Sequence, residues 1–212
     1  MKFFTKKADL PPGKPKRVPP GQYLTEKWPV LHYGPVPTFN PKTWDLRVFG
    51  KVKNELRWTW DELQALDKEI NTQVTADMHC VTTWSRLDQK WEGVSFAKIV
   101  ELAQPTDEAK FVIAHSEYGF TANIPIEYCL RDDCLIALRA NGEPLTAEHG
   151  QPARLVVPRL YAWKSAKWLR GLEFTDRNKR GFWEERGYHI HADPWREERY
   201  SYQEDPGSAT EP

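Results

Sequence analysis

The chain has 212 residues, with 30 Lys and Arg against 30 Asp and Glu, and it carries 10 Trp, 8 Tyr and 9 Phe. That length suits one domain with appendages. The charge balance argues against a generic nucleic-acid or membrane-surface binder, which carries a basic excess. The three cysteines, Cys80, Cys129 and Cys134, are too few and odd in number for a disulfide scaffold. No apolar run reaches the ~18 residues of a membrane span. The N-terminus lacks an apolar signal core and a twin-arginine pair, so the expectation is a cytoplasmic protein.

Residues 1–20 hold six basic residues, one acid and five prolines, and read as an extended arm. TWDLRVF (43–49) alternates, with Leu46 and Val48 on one face, and predicts a strand. Thr59 and Glu62 form a capping-box pattern ahead of a short helix through Leu66. Ser95 caps a second helix, with Phe96, Ile99, Val100 and Ala103 on its apolar face. KFVIAH (110–115) predicts a buried strand, and Pro125 opens a short helix over IPIEYCL. Cys134–Arg139 predicts a strand, closed by an Asn141-Gly142 turn. Two more strands follow, Arg154–Leu160 and Lys167–Phe174, split by a turn around Tyr161–Ser165. Residues 184–212 hold eight acids and three bases, so the neutral total hides two tails of opposite sign. Such tails act as solubilising ends, or they pack across the domain and meet. The expected class is α+β with mixed β-sheets and short helices, its domain over residues 21–203 and a disordered tail at 204–212.

No Gly-rich nucleotide cradle, HExxH, CxxC pair or GxSxG elbow occurs. Cys129 and Cys134 read as core residues. His189 and His191 share a strand face that suits a metal only with a third ligand. The informative stretch is ADMHCVTTWSRLDQKWEGVSF (76–96). It sets Cys80 in a polar-aromatic loop between two helical signals, beside His79, Thr82, Thr83, Ser85 and Arg86. Donors and a cation lower a thiol pKa. Spacing alone leaves three readings open: a buried small hydrophobe, a nucleophile with His79, His115 or His149 as base, and a metal ligand. A non-catalytic interaction module remains a further alternative.

The stretch from His79 to Phe96 resembles the molybdenum-ligand loop of the sulfite oxidase family of molybdopterin-dependent oxidoreductases. Cys80 opens that loop, and Trp91-Glu92-Gly93-Val94 closes it. A second block, Asn141–Phe174, is similar to the family pattern in order: Asn141, Gly142, Pro144 and Leu145; His149, Gly150, Pro152 and Arg154; Val157-Pro158; Lys164 and Lys167. A third, Val30–Gly50, resembles the family's opening segment. The final GFWEERGYHIHADPWREERY resembles the small soluble bacterial branch.

The resemblance implies a sulfite oxidase-type molybdopterin-binding domain and a molybdenum–molybdopterin cofactor. Cys80 would be the one thiolate ligand to the metal, as soft sulfur donors suit such a centre. Arg154 would fork onto phosphate or a pterin oxygen. Lys167, Ser165 and Ala166 would cradle the far end, with His32, His115, Ser116 and His149 as pterin contacts. Arg86 and Tyr118 are the candidates for the substrate side. The reaction implied is two-electron oxygen-atom transfer on a small oxyanion or sulfoxide-type substrate. The two-arginine pattern that accompanies sulfite binding is absent. So are a haem-attachment motif and a dimerisation module, which leads to the expectation of a monomer served by an external electron donor or acceptor protein.

Overall fold

The computed structural model describes residues 17–205. The basic arm up to residue 16 and the end of the acidic tail from residue 206 lie outside the described residues. In chain order the elements are β1 (Tyr23–Leu24), β2 (Asp45–Gly50), β3 (Leu56–Thr59), α1 (Trp60–Ile70), β4 (Thr72–His79), β5 (Trp84–Ser95), α2 (Phe96–Ala103), β6 (Phe111–Ser116), β7 (Thr121–Pro125), α3 (Ile126–Cys129), β8 (Leu135–Ala140), β9 (Glu143–Pro144), β10 (Arg154–Val156) and β11 (Leu169–Thr175). This is the expected α+β class: two sheets and three short α-helices.

Local chemistry explains most of these elements. Thr59 caps α1 through its side chain while Glu62 returns a bond to the Thr59 N–H, so the capping box forms as written. The helix runs to Ile70, past the expected end at Leu66, and stops at Asn71, whose φ of 48° is left-handed. Ser95 caps α2, with Phe96, Ile99 and Ala103 buried beneath it. Asn141 and Gly142 both take positive φ, which suits a tight hairpin between β8 and β9.

One sheet has the order β3-β2-β11-β6-β7; the other has β1-β5-β8-β10, with β4 also paired to β5 and β9 to β8. The β1–β5 and β2–β11 pairs are parallel and the others antiparallel. The larger core joins both sheets through Leu46, Val48, Ile99, Ile124, Ile136, Leu155 and Leu172. A smaller one gathers Met78, Cys80, Trp84, Trp91, Tyr161 and Trp163. Cys129 and Cys134 are buried, as expected for core residues.

Three expectations need correction. The stretch around Cys80 is a long β-hairpin, β4 and β5, with the cysteine in its turn, and is not a loop between helices. Its polar residues conceal a strand because one face of the hairpin is solvated. Gly93 lies tight against the paired β8: a Cβ there would lie 2.0 Å from the Ile136 carbonyl oxygen. The Arg154–Leu160 strand ends at Val156, since Pro158 lacks the N–H to continue a ladder. The last strand begins at Leu169, after Trp168 turns the chain with φ of 54°.

Beyond β11 the chain wraps the domain in short 3-10 turns, held by a buried ion pair. Lys164 Nζ lies 2.5 Å from Glu184 Oε1 and donates to the Asn123 and Ile190 carbonyls at 2.8 and 2.7 Å. Glu204, assigned from sequence to the disordered tail, is anchored by Arg180 and by the Ile190 N–H.

Candidate functional site

The turn Cys80–Thr83 and the segment His149–Trp168 face one another across a cavity of about 420 Å³. Cys80 is 8 % exposed, and its Sγ accepts a hydrogen bond from Thr82 Oγ1 at 3.1 Å. Burial nevertheless pushes the Cys80 thiol up. His79, its nearest candidate base in sequence, is bonded through Nδ1 to Ser85 Oγ at 2.8 Å, and burial holds it down to about 4. That environment disfavours a free activated nucleophile and suits a sulfur whose charge a metal would neutralise.

Arg154 lies at the other side of the cavity. Its guanidinium donates to the His149 carbonyl at 3.0 Å and the Ser165 carbonyl at 2.9 Å, while its Nε has no hydrogen-bond partner among the described residues. Burial pushes Arg154 down to about 9. Lys167 Nζ donates to the carbonyls of Leu31 and Glu148, each at 2.8 Å, and burial, then Arg154, pushes it down to about 7. Neither cation has a carboxylate partner among the described residues. A buried cation without a counter-charge is unfavourable, and an anion in the cavity would relieve both. His149 accompanies them. Its Nδ1 meets Thr146 Oγ1 at 2.9 Å, its Nε2 has no hydrogen-bond partner among the described residues, and burial lowers its pKa. Gly150, at φ +113°, sits between the two cations: a Cβ there would lie 3.1 Å from Lys167 Cβ and 3.2 Å from Arg154 Cβ. Only glycine keeps that cradle open.

The structure therefore brings His32, Cys80, Tyr118, His149, Arg154, Ser165, Ala166 and Lys167 to one cavity. It does not bring Arg86, His115 or Ser116 to its lining. On β5 the Arg86 side chain turns to Gln89 Oε1 and lies 5.6 Å over the ring of Trp28, which lines the cavity. His115 bonds Glu173 through Nε2 at 3.0 Å on the face of β6 that packs on Phe49. Ser116 is buried with its hydroxyl unpartnered. The Ser165 hydroxyl accepts from the Val157 N–H at 2.9 Å, so its side chain shapes the turn.

Sequence reasoning placed Trp163 and Trp168 in the core or the pocket wall, and both line the cavity, but it missed the other aromatic walls. Trp28 stacks on His149 at 3.8 Å, and Trp183 stacks on Tyr188 at 5.2 Å. Trp84, Phe182, Trp183 and Tyr188 all line the cavity. The one available signal was the density of aromatics in non-periodic segments. The mouth exposes Leu31, Tyr33 and Tyr118, with Tyr118 at φ 57°. His189 Nδ1 accepts from the backbone N–H of His191 and of Ala192, at 3.1 and 3.4 Å, and so serves the turn. Among the described residues no cluster of three or more His, Cys, Asp and Glu is placed to hold a metal ion.

A buried thiol facing two cations that lack carboxylate partners among the described residues, on two mixed sheets, suits an anionic ligand in this cavity. The chain belongs to the family described as the oxidoreductase molybdopterin binding domain, which matches residues 33–183. It is similar to the uncharacterized oxidoreductase YuiH of Bacillus subtilis, 46% identical over 88% of this chain and 93% of that one. The putative protein-methionine-sulfoxide reductase subunit YedZ1 of Azospira oryzae is 30% identical, over 80% of this chain and 64% of its own. The mitochondrial sulfite oxidase of Drosophila melanogaster is 28% identical, over 75% of this chain and 32% of its own. Among solved structures, the sulfane dehydrogenase SoxCD of Paracoccus pantotrophus superposes with a TM-score of 0.60 at 26% identity, covering 68% of this chain and 41% of that one. The chain thus spans less than two thirds of the last three. The sulfite oxidase-type resemblance stands, and the protein is an oxidoreductase of the molybdenum–molybdopterin class. The unpartnered Arg154 Nε and His149 Nε2, and the cradle at Gly150, fit such a group.

Proposed function

We propose that this protein catalyses two-electron oxygen-atom transfer on a small, neutral sulfoxide-type substrate, with Cys80 as the protein ligand to molybdenum. The observation that carries this reading is one cavity holding both the buried Cys80 sulfur and two cations without carboxylate partners among the described residues. Arg154 and Lys167 would hold the phosphate and pterin oxygens, and His149 and the Ser165-Ala166 backbone would orient the ring system. His32, whose Nδ1 meets the Gly34 carbonyl at 3.0 Å, would contact the pterin from the cavity lining. When bound, the molybdenum centre supplies the two-electron exchange that accompanies gain or loss of an oxygen atom.

The chain's own residues do the rest. Trp28, stacked on His149, excludes water from the Arg154 end. Phe182, Trp183 and Tyr188 give the cavity an apolar wall. At the mouth Glu117 is paired to Arg170 at 2.7 Å, so this cation is already compensated, and Arg86 turns to Gln89. Among the described residues an oxyanion such as sulfite therefore meets no free cation at the mouth, whereas a neutral S-oxide is matched by the aromatic wall and the exposed Tyr118 hydroxyl. Electrons would pass to or from a separate protein.

Protein made in a cofactor-producing host should contain close to one molybdenum and one releasable pterin per chain, and it should turn over dimethyl sulfoxide or methionine sulfoxide faster than sulfite. Cys80→Ser should fold and lose turnover. A wild-type chain with neither metal nor pterin, or one that oxidises sulfite in preference, overturns the proposal.

A further inference from the structure

The turn that carries Cys80 is strained. Thr83, a β-branched residue, sits at φ 74° in the left-handed region, which such residues avoid. Within the hairpin the turn is closed by Thr83 N–H donating to the Cys80 carbonyl at 3.0 Å and by Cys80 N–H donating to the Trp84 carbonyl at 2.9 Å. A strained turn persists when its surroundings over-determine it. Here the carbonyls of the turn are also held by residues that lie outside 33–183, the span of this chain that matches the family.

From the N-terminal side, Gln22 Nε2 donates to the Cys80 carbonyl at 3.1 Å and Tyr23 N–H to the Thr83 carbonyl at 2.8 Å. From the C-terminal wrap, Arg199 Nη1 donates to the Val81 carbonyl at 2.6 Å, across 118 positions of sequence. The Arg199 side chain is 11 % exposed, and its guanidinium lies 5.1 Å over the Tyr161 ring. The two terminal segments also touch: a Cβ on Gly21 would stand 2.7 Å from Glu197 Oε1 and 3.3 Å from Arg199 Nη2.

We infer that the two terminal segments form a clasp over the Cys80–Thr83 turn, with Arg199 as the positioning residue that fixes where the Cys80 sulfur points. A charged donor on a buried carbonyl is among the stronger neutral-acceptor hydrogen bonds. The strain at Thr83 gives the turn a reason to relax when that donor is lost. The inference rests on Cys80 as the metal ligand for its consequence, but the clasp itself is a property of the chain.

The test uses the full chain in four forms: wild type, Arg199→Ala, Arg199→Lys and Gln22→Ala. Amide hydrogen exchange at residues 80–84 reads the turn without reference to metal. Arg199→Ala should speed exchange there by at least about tenfold, and Arg199→Lys, which keeps a cationic donor, should stay within about threefold of wild type. In cofactor-loaded protein, Arg199→Ala should release pterin about tenfold faster, in line with a lost charged hydrogen bond. It should also broaden or shift the Mo(V) electron paramagnetic resonance signal, which a purely global loss of stability leaves unchanged. Wild-type exchange and an unchanged signal in Arg199→Ala overturn the clasp, and so does equal impairment by Ala and Lys. Should Arg199→Ala fail to fold, Gln22→Ala must speed exchange at the same amides, and its silence overturns the inference. A wild-type chain lacking molybdenum refutes the cofactor reading, while the exchange data still decide the clasp.

Discussion

Lys167 carries a sharp prediction because it is a cation placed where the folded chain disfavours charge. Burial and the neighbouring Arg154 push it from 10.5 to about 7. In cofactor-free protein the folded state gives up this proton near pH 7, whereas the unfolded chain keeps it up to about 10.5. The unfolded state therefore binds more protons between those values, and stability rises with pH across that window. The shift of 10.5 − 7 = 3.5 corresponds to about 4.8 kcal/mol at about 1.36 kcal/mol per pH unit. Because the ammonium group is partly open to the cavity, solvent screening cuts this to roughly 3 kcal/mol. About a third of that, ~1 kcal/mol, falls between pH 7 and pH 9 and the rest at higher pH. Urea unfolding of cofactor-free wild type and Lys167→Met at the two pH values isolates the effect, since all other titrating groups are shared. Wild type should gain about 1 kcal/mol relative to Lys167→Met on going from pH 7 to pH 9. In loaded protein an anion at Lys167 keeps it charged, and the gain should vanish. Parallel pH dependence of wild type and Lys167→Met without cofactor would refute the reasoning.

Lys164→Met leaves the Glu184 carboxylate buried without its cation and should cost about 3–5 kcal/mol; Lys164→Met with Glu184→Leu should recover part of the loss in chemical denaturation. Thr59→Ala removes the cap of α1 and should cost about 1 kcal/mol without changing metal content.

Local patterns were enough for the elements whose stabilisation is local. Thr59 and Glu62 announce α1, Ser95 announces α2, and Asn141-Gly142 announces a turn. In each case the signalling side chain bonds the backbone a few residues away. The hairpin β4–β5 was not legible, because its polar face reads as loop and its partner strand β8 is more than forty positions further on. For the site, the residue types around Cys80, His149, Arg154 and Lys167 gave the cofactor class through their resemblance to a family. The same resemblance also pointed to Arg86, His115 and Ser116. Whether those reach the cavity depends on which face of a strand each occupies, and that parity was not visible beforehand.

Composition and motif order by themselves pointed to the α+β class, with one cysteine set apart from the two core cysteines and a cationic segment to accompany it. Tertiary structure alone decided that Arg154 and Lys167 lack carboxylate partners among the described residues, that aromatics from distant segments wall the cavity, and that Gln22 and Arg199 meet at the turn bearing Cys80. Those facts arise from contacts between residues far apart in the chain. Their energies come from burial and desolvation, which sequence spacing does not encode.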